Sequence, residues 1–259
     1  MKSRERYEET FTIASYESDV NGNLSLYSLF NRFQELAGHH ATYLQVGYVT
    51  LTEEGLAWIL SRIKVQIYSL PKWGEMVHLA TWPKGIDRLF ALREFCITSE
   101  HGQTLINATS AWLLVDTEKG RPRKIESLPI DLHFPDAPHA IREPLEKIQV
   151  PNELKPVFEK QIWLSDLDIN RHVNNAQYVK WITDCFSEEL FRTRRITSLQ
   201  INYLEETLLG DTVGLFKNSS DVSASEYFLE GISRSKGTKV FQAHMDWGEH
   251  SFIRTKIKV

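Results

Sequence analysis

Proline is unevenly spread along this chain, and its clustering decides how the chain can be divided. Six of the nine prolines, Pro129, Pro135, Pro138, Pro144, Pro151 and Pro156, fall within 28 consecutive residues of 259. Proline has no amide hydrogen to give to a helix interior or a central strand, so such a stretch can form neither. Residues 129–156 are therefore expected to be a linker, partly extended and wrapped over the surface. It separates an N-terminal domain, 1–128, from a C-terminal domain, 157–259.

The two parts read alike when laid side by side. A strand-like segment at 11–16 leads into Ser18, Asp19 and a polar turn, and another at 160–164 leads into Ser165, Asp166 and a second polar turn. Each opening runs into a helix-period segment: Leu26, Leu29, Phe30, Phe33, Leu36, Ala37, Ala41 and Leu44 in the first part, and Tyr178, Val179, Trp181, Ile182, Cys185 and Phe186 in the second. Strand-like runs follow in both, at 63–68, 73–82, 90–98 and 104–115, then at 199–203, 209–213 and a pair around Lys236 and Gly237. Gly74 and Gly210, Gly102 and Gly237, and Trp112 and Trp247 match at offsets of 136, 135 and 135. One apolar-faced helix per part needs a sheet to lie on. The expected fold is α+β, a tandem (double) hotdog in which each long helix packs on an antiparallel sheet.

Composition narrows the function classes. A net charge of −4 provides no global basic footprint for nucleic acid. Cys96 and Cys185 are far apart and lack metal-ligand spacing, which fits a reducing, cytoplasmic setting. Residues 1–10 hold no apolar run of the secretory kind, and no stretch approaches a bilayer span, so neither a secretory signal nor a membrane span is expected. No zinc-binding H-E-x-x-H pattern, paired C-x-x-C, serine-hydrolase elbow or phosphate loop occurs, so neither cofactor nor metal is expected.

The densest polar cluster before a helix is residues 166–175. The second helix should begin near Asn174 or Asn175, because an Asn side chain accepts an orphan amide at a helix start. Amides there could also hold a developing oxyanion. If the stretch is extended, Asp168, Asn170 and His172 project to one side, bringing a carboxylate, an amide and an imidazole together for proton transfer.

The run Asp168-Ile169-Asn170-Arg171-His172-Val173-Asn174-Asn175 with its aromatic helix resembles the signature of acyl-acyl carrier protein thioesterases. Gln34-Glu35, Trp58 before Arg62, Trp73-Gly74, Thr81-Trp82 and Ala111-Trp112 extend the likeness over nearly the whole chain. The resemblance implies release of fatty acids from acyl carrier protein in fatty acid synthesis. It also implies a fourth residue, a Glu followed in plant members by Cys; here these positions are Glu206 and Thr207. Without that cysteine, a papain-like route is closed, and hydrolysis driven by carboxylate and imidazole remains. The expected catalytic set is Asp168, Asn170, His172 and Glu206. Asp19 to Ser25, the matching turn of the first part, has no histidine, which implies one working site per chain. By the same likeness the first part houses the acyl tail, with Leu29, Phe33 and Leu36 as candidate tunnel walls. The partner so implied is acyl-loaded carrier protein, an acidic protein that Arg192, Arg194 and Arg195, or Arg121, Arg123 and Lys124, could steer in by charge. A homodimer of tandem chains is compatible with this reading. Competing readings are a hotdog thioesterase acting on coenzyme A thioesters, a hotdog hydratase and a non-catalytic acyl-binding module.

Overall fold

The computed structural model describes residues 5–128, 138–219 and 221–249. The first half runs β1 (Tyr7–Thr12), α1 (Leu26–Tyr43), α2 (Tyr48–Glu53), β2 (Leu56–Ile67), β3 (Met76–Asp87), β4 (Phe90–Ser99), β5 (Thr104–Asp116) and a short β6 (Arg121–Arg123). The second repeats the plan as β7 (Lys155–Gln161), α3 (Asn175–Asp184), α4 (Glu188–Thr193), β8 (Arg194–Tyr203), β9 (Thr212–Lys217), β10 (Glu226–Ser233) and β11 (Lys239–Glu249).

All eleven strands join one antiparallel sheet, ordered β1-β3-β4-β5-β2-β8-β11-β10-β9-β7, with β6 paired to β5. Counted from either edge, each half lays its strands down in the same order. The halves meet where β2 pairs with β8, from Arg62 opposite Asn202 to Gln66 opposite Ser198. The three sequence landmarks are structural equivalents. Gly74 and Gly210 take φ of 84° and 85°, and Gly102 and Gly237 take 79° and 70°. These are left-handed turn conformations that favour glycine. Trp112 and Trp247 both stand at β-bulges, where β5 and β11 shift register against β2 and β8.

Side chains alternate across a strand, so each strand gives one face to the helices. Ile63, Val65, Phe95, Ile97, Ile106 and Ala108 face α1 and share one core with Leu199, Ile201, Phe241 and Ala243 under α3. Phe33 on α1 stacks on Phe95 of β4 at 4.6 Å. Burying a side chain of this size stabilises the fold by about 1.5–3 kcal/mol. A satellite core of Leu44, Val46, Leu51, Leu56, Leu114, Ile125 and Leu128 lies beside α2. The six-residue helices α2 and α4 have no counterpart in the sequence reading, because so few residues show no period. Helix α3 ends at Asp184 with Cys185 as its cap, so Cys185 and Phe186 lie beyond the helix that the periodicity ran through.

The opposite face of the sheet carries part of the proline-rich segment. Glu94, fully buried, accepts the amides of Ala140 and Ile141 at 3.0 and 3.1 Å and the Thr109 hydroxyl at 2.9 Å, and pairs with Lys84. Further along, Arg62 donates to the Leu145 carbonyl and Gln200 to that of Glu146, so the strap passes from one half to the other. Pro129 and Pro135, and residues 250–259, lie outside the described residues.

Candidate active site

The turn before each long helix is built the same way. In the first half Asp19 Oδ1 accepts the amides of Asn21 and Asn23 at 2.8 and 2.9 Å, while its own amide donates to the Asn23 carbonyl. In the second, Asp168 Oδ1 accepts the amides of Asn170 and His172 at 2.8 and 3.3 Å, and its amide donates to the His172 carbonyl. Such side-chain-to-backbone bonds are what Asp supplies in tight turns. Asp168 therefore corresponds to Asp19, and Asp166 to Glu17, rather than Asp166 to Asp19 as the Ser-Asp pairs had suggested. The helices then begin on side-chain caps, Ser25 for α1 and Asn174 for α3.

The segment from Asp168 to His172 is thus a closed turn and not an extended strand. Its residues do not project together: Asp168 is turned inward onto backbone amides, and the Asn170 side chain is exposed, with no hydrogen bond among the described residues. What the fold does bring together is His172 and Glu206. Glu206 lies in the turn after β8, with its Oε2 3.2 Å from His172 Nε2, and both side chains are partly open to solvent.

A buried layer beneath this pair holds it in place. Val173 donates its amide to the Thr207 carbonyl at 3.1 Å, tying the two turns together. Tyr178, on the first turns of α3, donates its hydroxyl to Thr207 Oγ1 at 2.9 Å. Burial, with the nearby charges of Asp168 and Glu206, pushes the Tyr178 phenol up to about 12, so it stays a neutral donor. Burial likewise raises Tyr203, whose hydroxyl donates to the Asn175 carbonyl at 3.0 Å.

Among the described residues, nothing in the first half matches this layer. Matching the turns and the β2 and β8 registers sets Asn23 against His172, Leu70 against Glu206, and Pro71 against Thr207. The same match sets Leu29 against Tyr178, Ile67 against Tyr203, and Leu26 against Asn175. Six polar groups in one copy stand where the other has an amide and five apolar residues. Sequence reading missed Tyr178, Tyr203, Thr207 and Asn175 as site residues. Comparing the two copies position by position for polar-for-apolar exchanges was the signal that could have found them.

The helix start offers fewer free amides than the sequence implied. Asn174 occupies the amide of Ala176 with its side chain and that of Gln177 with its carbonyl. The Asn175 amide is the first-turn donor left over. Asn175 also reaches across the halves, donating to Gln34 Oε1 of α1 at 3.4 Å. With Gln34 it lines a narrow crevice whose other walls are Phe30, Phe33, Leu60, Ile63, Phe95 and Trp112, with free space of only about 10 Å³. Of the three proposed tunnel walls, Phe33 lines the crevice, while Leu29 and Leu36 are packed into the core.

The arginines offered as a docking patch are otherwise engaged. Arg194 donates to the carbonyls of Ala224, Val222 and Trp247, and Arg195 to those of Glu249 and Tyr68. These bonds brace strand ends in the middle of the sheet, where β2, β8 and β11 lie side by side; Arg192 and Arg195 are exposed, and Arg192 makes no such bond among the described residues. In the other cluster Arg123 pairs with Asp116.

A long helix wrapped by an antiparallel sheet, duplicated within one chain and carrying an acid–imidazole pair in one copy, defines a double-hotdog enzyme of the thioesterase class. The sequence description of the acyl-ACP thioesterase N-terminal domain matches residues 4–130, and that of the C-terminal domain matches 155–249. The chain belongs to the acyl-ACP thioesterase family. A solved acyl-ACP thioesterase from Bacteroides thetaiotaomicron superposes with a TM-score of 0.82 at 28% identity, covering 95% of this chain and 100% of that one. The 12:0-ACP thioesterase of Umbellularia californica shares the fold, with a TM-score of 0.77 at 21% identity over 96% of this chain and 99% of the other. Oleoyl-acyl carrier protein thioesterase 1, chloroplastic, of Arabidopsis thaliana is 26% identical over 93% of this chain and 69% of its own length. The FATB1 hydrolase of Cuphea viscosissima is 25% identical over 92% of this chain, which spans 60% of that protein.

Proposed function

We propose that His172 and Glu206 form the catalytic pair of this chain, working on the thioester of a fatty acyl-acyl carrier protein. The chain is a thioester hydrolase of the acyl-ACP thioesterase family, and its reaction releases free fatty acid from the carrier in fatty acid synthesis. The observation that carries the assignment of the pair is the 3.2 Å approach of His172 Nε2 to Glu206 Oε2 at the start of α3.

In this scheme water sits between the pair and the thioester carbonyl. Glu206, with His172, takes a proton from the water as its oxygen bonds to the carbonyl carbon. The Asn175 amide, the first-turn donor left over, stabilises the oxygen that gains charge. Collapse of the tetrahedral intermediate breaks the carbon–sulfur bond, and the proton passes to the departing thiolate of the carrier arm. Asp168 acts as a positioning residue, since its Oδ1 is already committed to the amides that shape the turn. The acyl tail enters the crevice past Asn175, between Phe33, Ile63 and Trp112. No described helix is long and apolar enough to cross a membrane. A cytoplasmic setting, which we infer from the two free thiols Cys96 and Cys185, agrees with an acyl-carrier substrate.

The test is product release from a ladder of acyl-carrier substrates of different chain length. Fatty acid should appear with the wild type, and Glu206→Gln should lower kcat by about 10²–10⁴-fold, the usual contribution of a general acid or base. Near-normal turnover by that variant would reject the catalytic pair. Faster hydrolysis of coenzyme A thioesters than of carrier thioesters would favour the coenzyme A reading. Binding without hydrolysis would favour an acyl-binding module.

A further inference from the structure

Arg171 adopts φ of 62°, in the left-handed region, inside the turn that precedes α3. The same position in the first-half turn is Gly22, at φ of 76°. Both turns keep the same hydrogen bonds, so the geometry needs a left-handed residue and glycine satisfies it without strain. Placing an arginine there costs stability in the folded state. Gln45, after α1, and Arg88, between β3 and β4, are also left-handed, but the matching turns after α3 and between β9 and β10 hold no left-handed glycine among the described residues. Among the described residues, Arg171 is the left-handed non-glycine residue whose counterpart in the other half is a left-handed glycine.

The Arg171 side chain is exposed and makes no hydrogen bond, ion pair or ring contact among the described residues. It cannot therefore be retained for a structural bond. It adjoins His172; the Asp168 carboxylate in the same turn is committed to backbone amides, and the Glu206 carboxylate to His172. Lys236 adds a second cation at the same lip, its Nζ donating to the Glu206 carbonyl at 3.2 Å. A free guanidinium beside the reacting centre suits an anion that arrives with every substrate molecule. The arm that carries the thioester on acyl carrier protein supplies one, its phosphate. A guanidinium matches phosphate by paired, charge-assisted hydrogen bonds.

Resting on the family's substrate as given above, we propose that Arg171 is a substrate-positioning residue that binds the phosphate of the phosphopantetheine arm. It holds the thioester against His172 and accepts backbone strain to do so.

Two non-hydrolysable thioether analogues test this, an acylated phosphopantetheine and the same acylated pantetheine without phosphate, titrated calorimetrically at low salt. The wild type should bind the phosphate-bearing analogue about tenfold more tightly, the gain expected of one exposed charge-assisted contact. Arg171→Gly should erase that preference while Arg171→Lys keeps most of it. Because strain is relieved, Arg171→Gly should also melt about 2 °C higher than the wild type. In turnover, Arg171→Gly should raise KM about tenfold for both acyl-carrier and acyl-coenzyme A thioesters, which share the phosphate, and leave N-acetylcysteamine thioesters unchanged. Equal binding of the two analogues by the wild type would overturn the proposal. So would a preference that survives in Arg171→Gly, or a KM increase confined to the carrier thioester. The analogue titration needs no hydrolysis, so failure of the catalytic pair and failure of the phosphate contact read out separately.

Discussion

The turns at Asp19 and Asp168 are one structure made twice with different cargo. Aspartate, left-handed residue, capped helix and tie to the turn after the neighbouring strand recur in both, yet one copy carries His172 and Glu206 and the other Asn23 and Leu70. A second comparison shows how parts that only hold the fold together behave. In the first half Glu17 pairs with Arg32 of α1, whose guanidinium lies 4.1 Å from the Phe11 ring of β1. In the second half Asp166 pairs with Lys160 of β7, whose ammonium lies 6.0 Å from the Trp181 ring of α3. Acid, cation and aromatic ring are kept, but cation and ring have exchanged helix for strand. A structural triad can swap its members because only their mutual contact matters. The polar layer under His172 has no such counterpart, so the fold itself does not require it, and support of the proposed pair accounts for its presence.

Making the second copy resemble the first should break the difference most sharply. His172→Asn, which copies Asn23, should reduce kcat by about 10²–10⁴-fold while leaving the melting temperature nearly unchanged, because Asn23 already fits the same turn. A large loss of stability would mean that His172 is structural. Next in size is the buried strut. Thr207→Val removes the hydroxyl that accepts from Tyr178, and we expect kcat to fall about tenfold, with a stability cost of about 1–3 kcal/mol from the orphaned phenol. Tyr178→Phe with Thr207→Val should recover part of that stability without recovering kcat, which a double-mutant cycle would read out.

The smallest expected effect concerns acid. Asp211 in the turn before β9 is buried, which opposes its ionisation, but bonds from Ser233, Ser235 and Thr212 prevail and hold its carboxyl below the ordinary value of 3.8. A depressed carboxyl contributes stability that is present above its unfolded value and lost as pH falls through its lower folded value. Asp211→Asn should therefore be less stable than the wild type by about 1 kcal/mol at pH 7 and lose that deficit below pH 3.8. Denaturant unfolding at the two pH values checks this, and a deficit that persists in acid would assign the effect to lost packing.

The larger outline was legible because it is written in local terms. Helix period, strand alternation, left-handed glycines and an Asn cap each depend on neighbours a few residues away, and their recurrence at a nearly constant offset announced the duplication. The site was legible in part. The sequence points to both His172 and Glu206, the latter through family likeness, whereas Asp168, expected to take part in catalysis, is bonded to the backbone of its own turn. Tyr178 and Tyr203 read as ordinary core aromatics, since a phenol bonded in a buried layer and one merely packed look the same in a sequence. Arg194 and Arg195 read as surface charge because the carbonyls they brace lie far along the chain, at Tyr68, Val222, Ala224, Trp247 and Glu249.

Chain order alone determined that there are two copies, that each sets a long helix on a sheet, and that only one bears a histidine in its turn. Tertiary structure decided that β2 and β8 fuse the copies into one sheet, that Glu94 straps the proline-rich segment across the back, and that Glu206 meets His172. The division has a physical cause. Local hydrogen bonds and burial periodicity are encoded within a turn or two of chain. Strand pairing across the duplication and the meeting of two separate turns depend on how the finished layers come together.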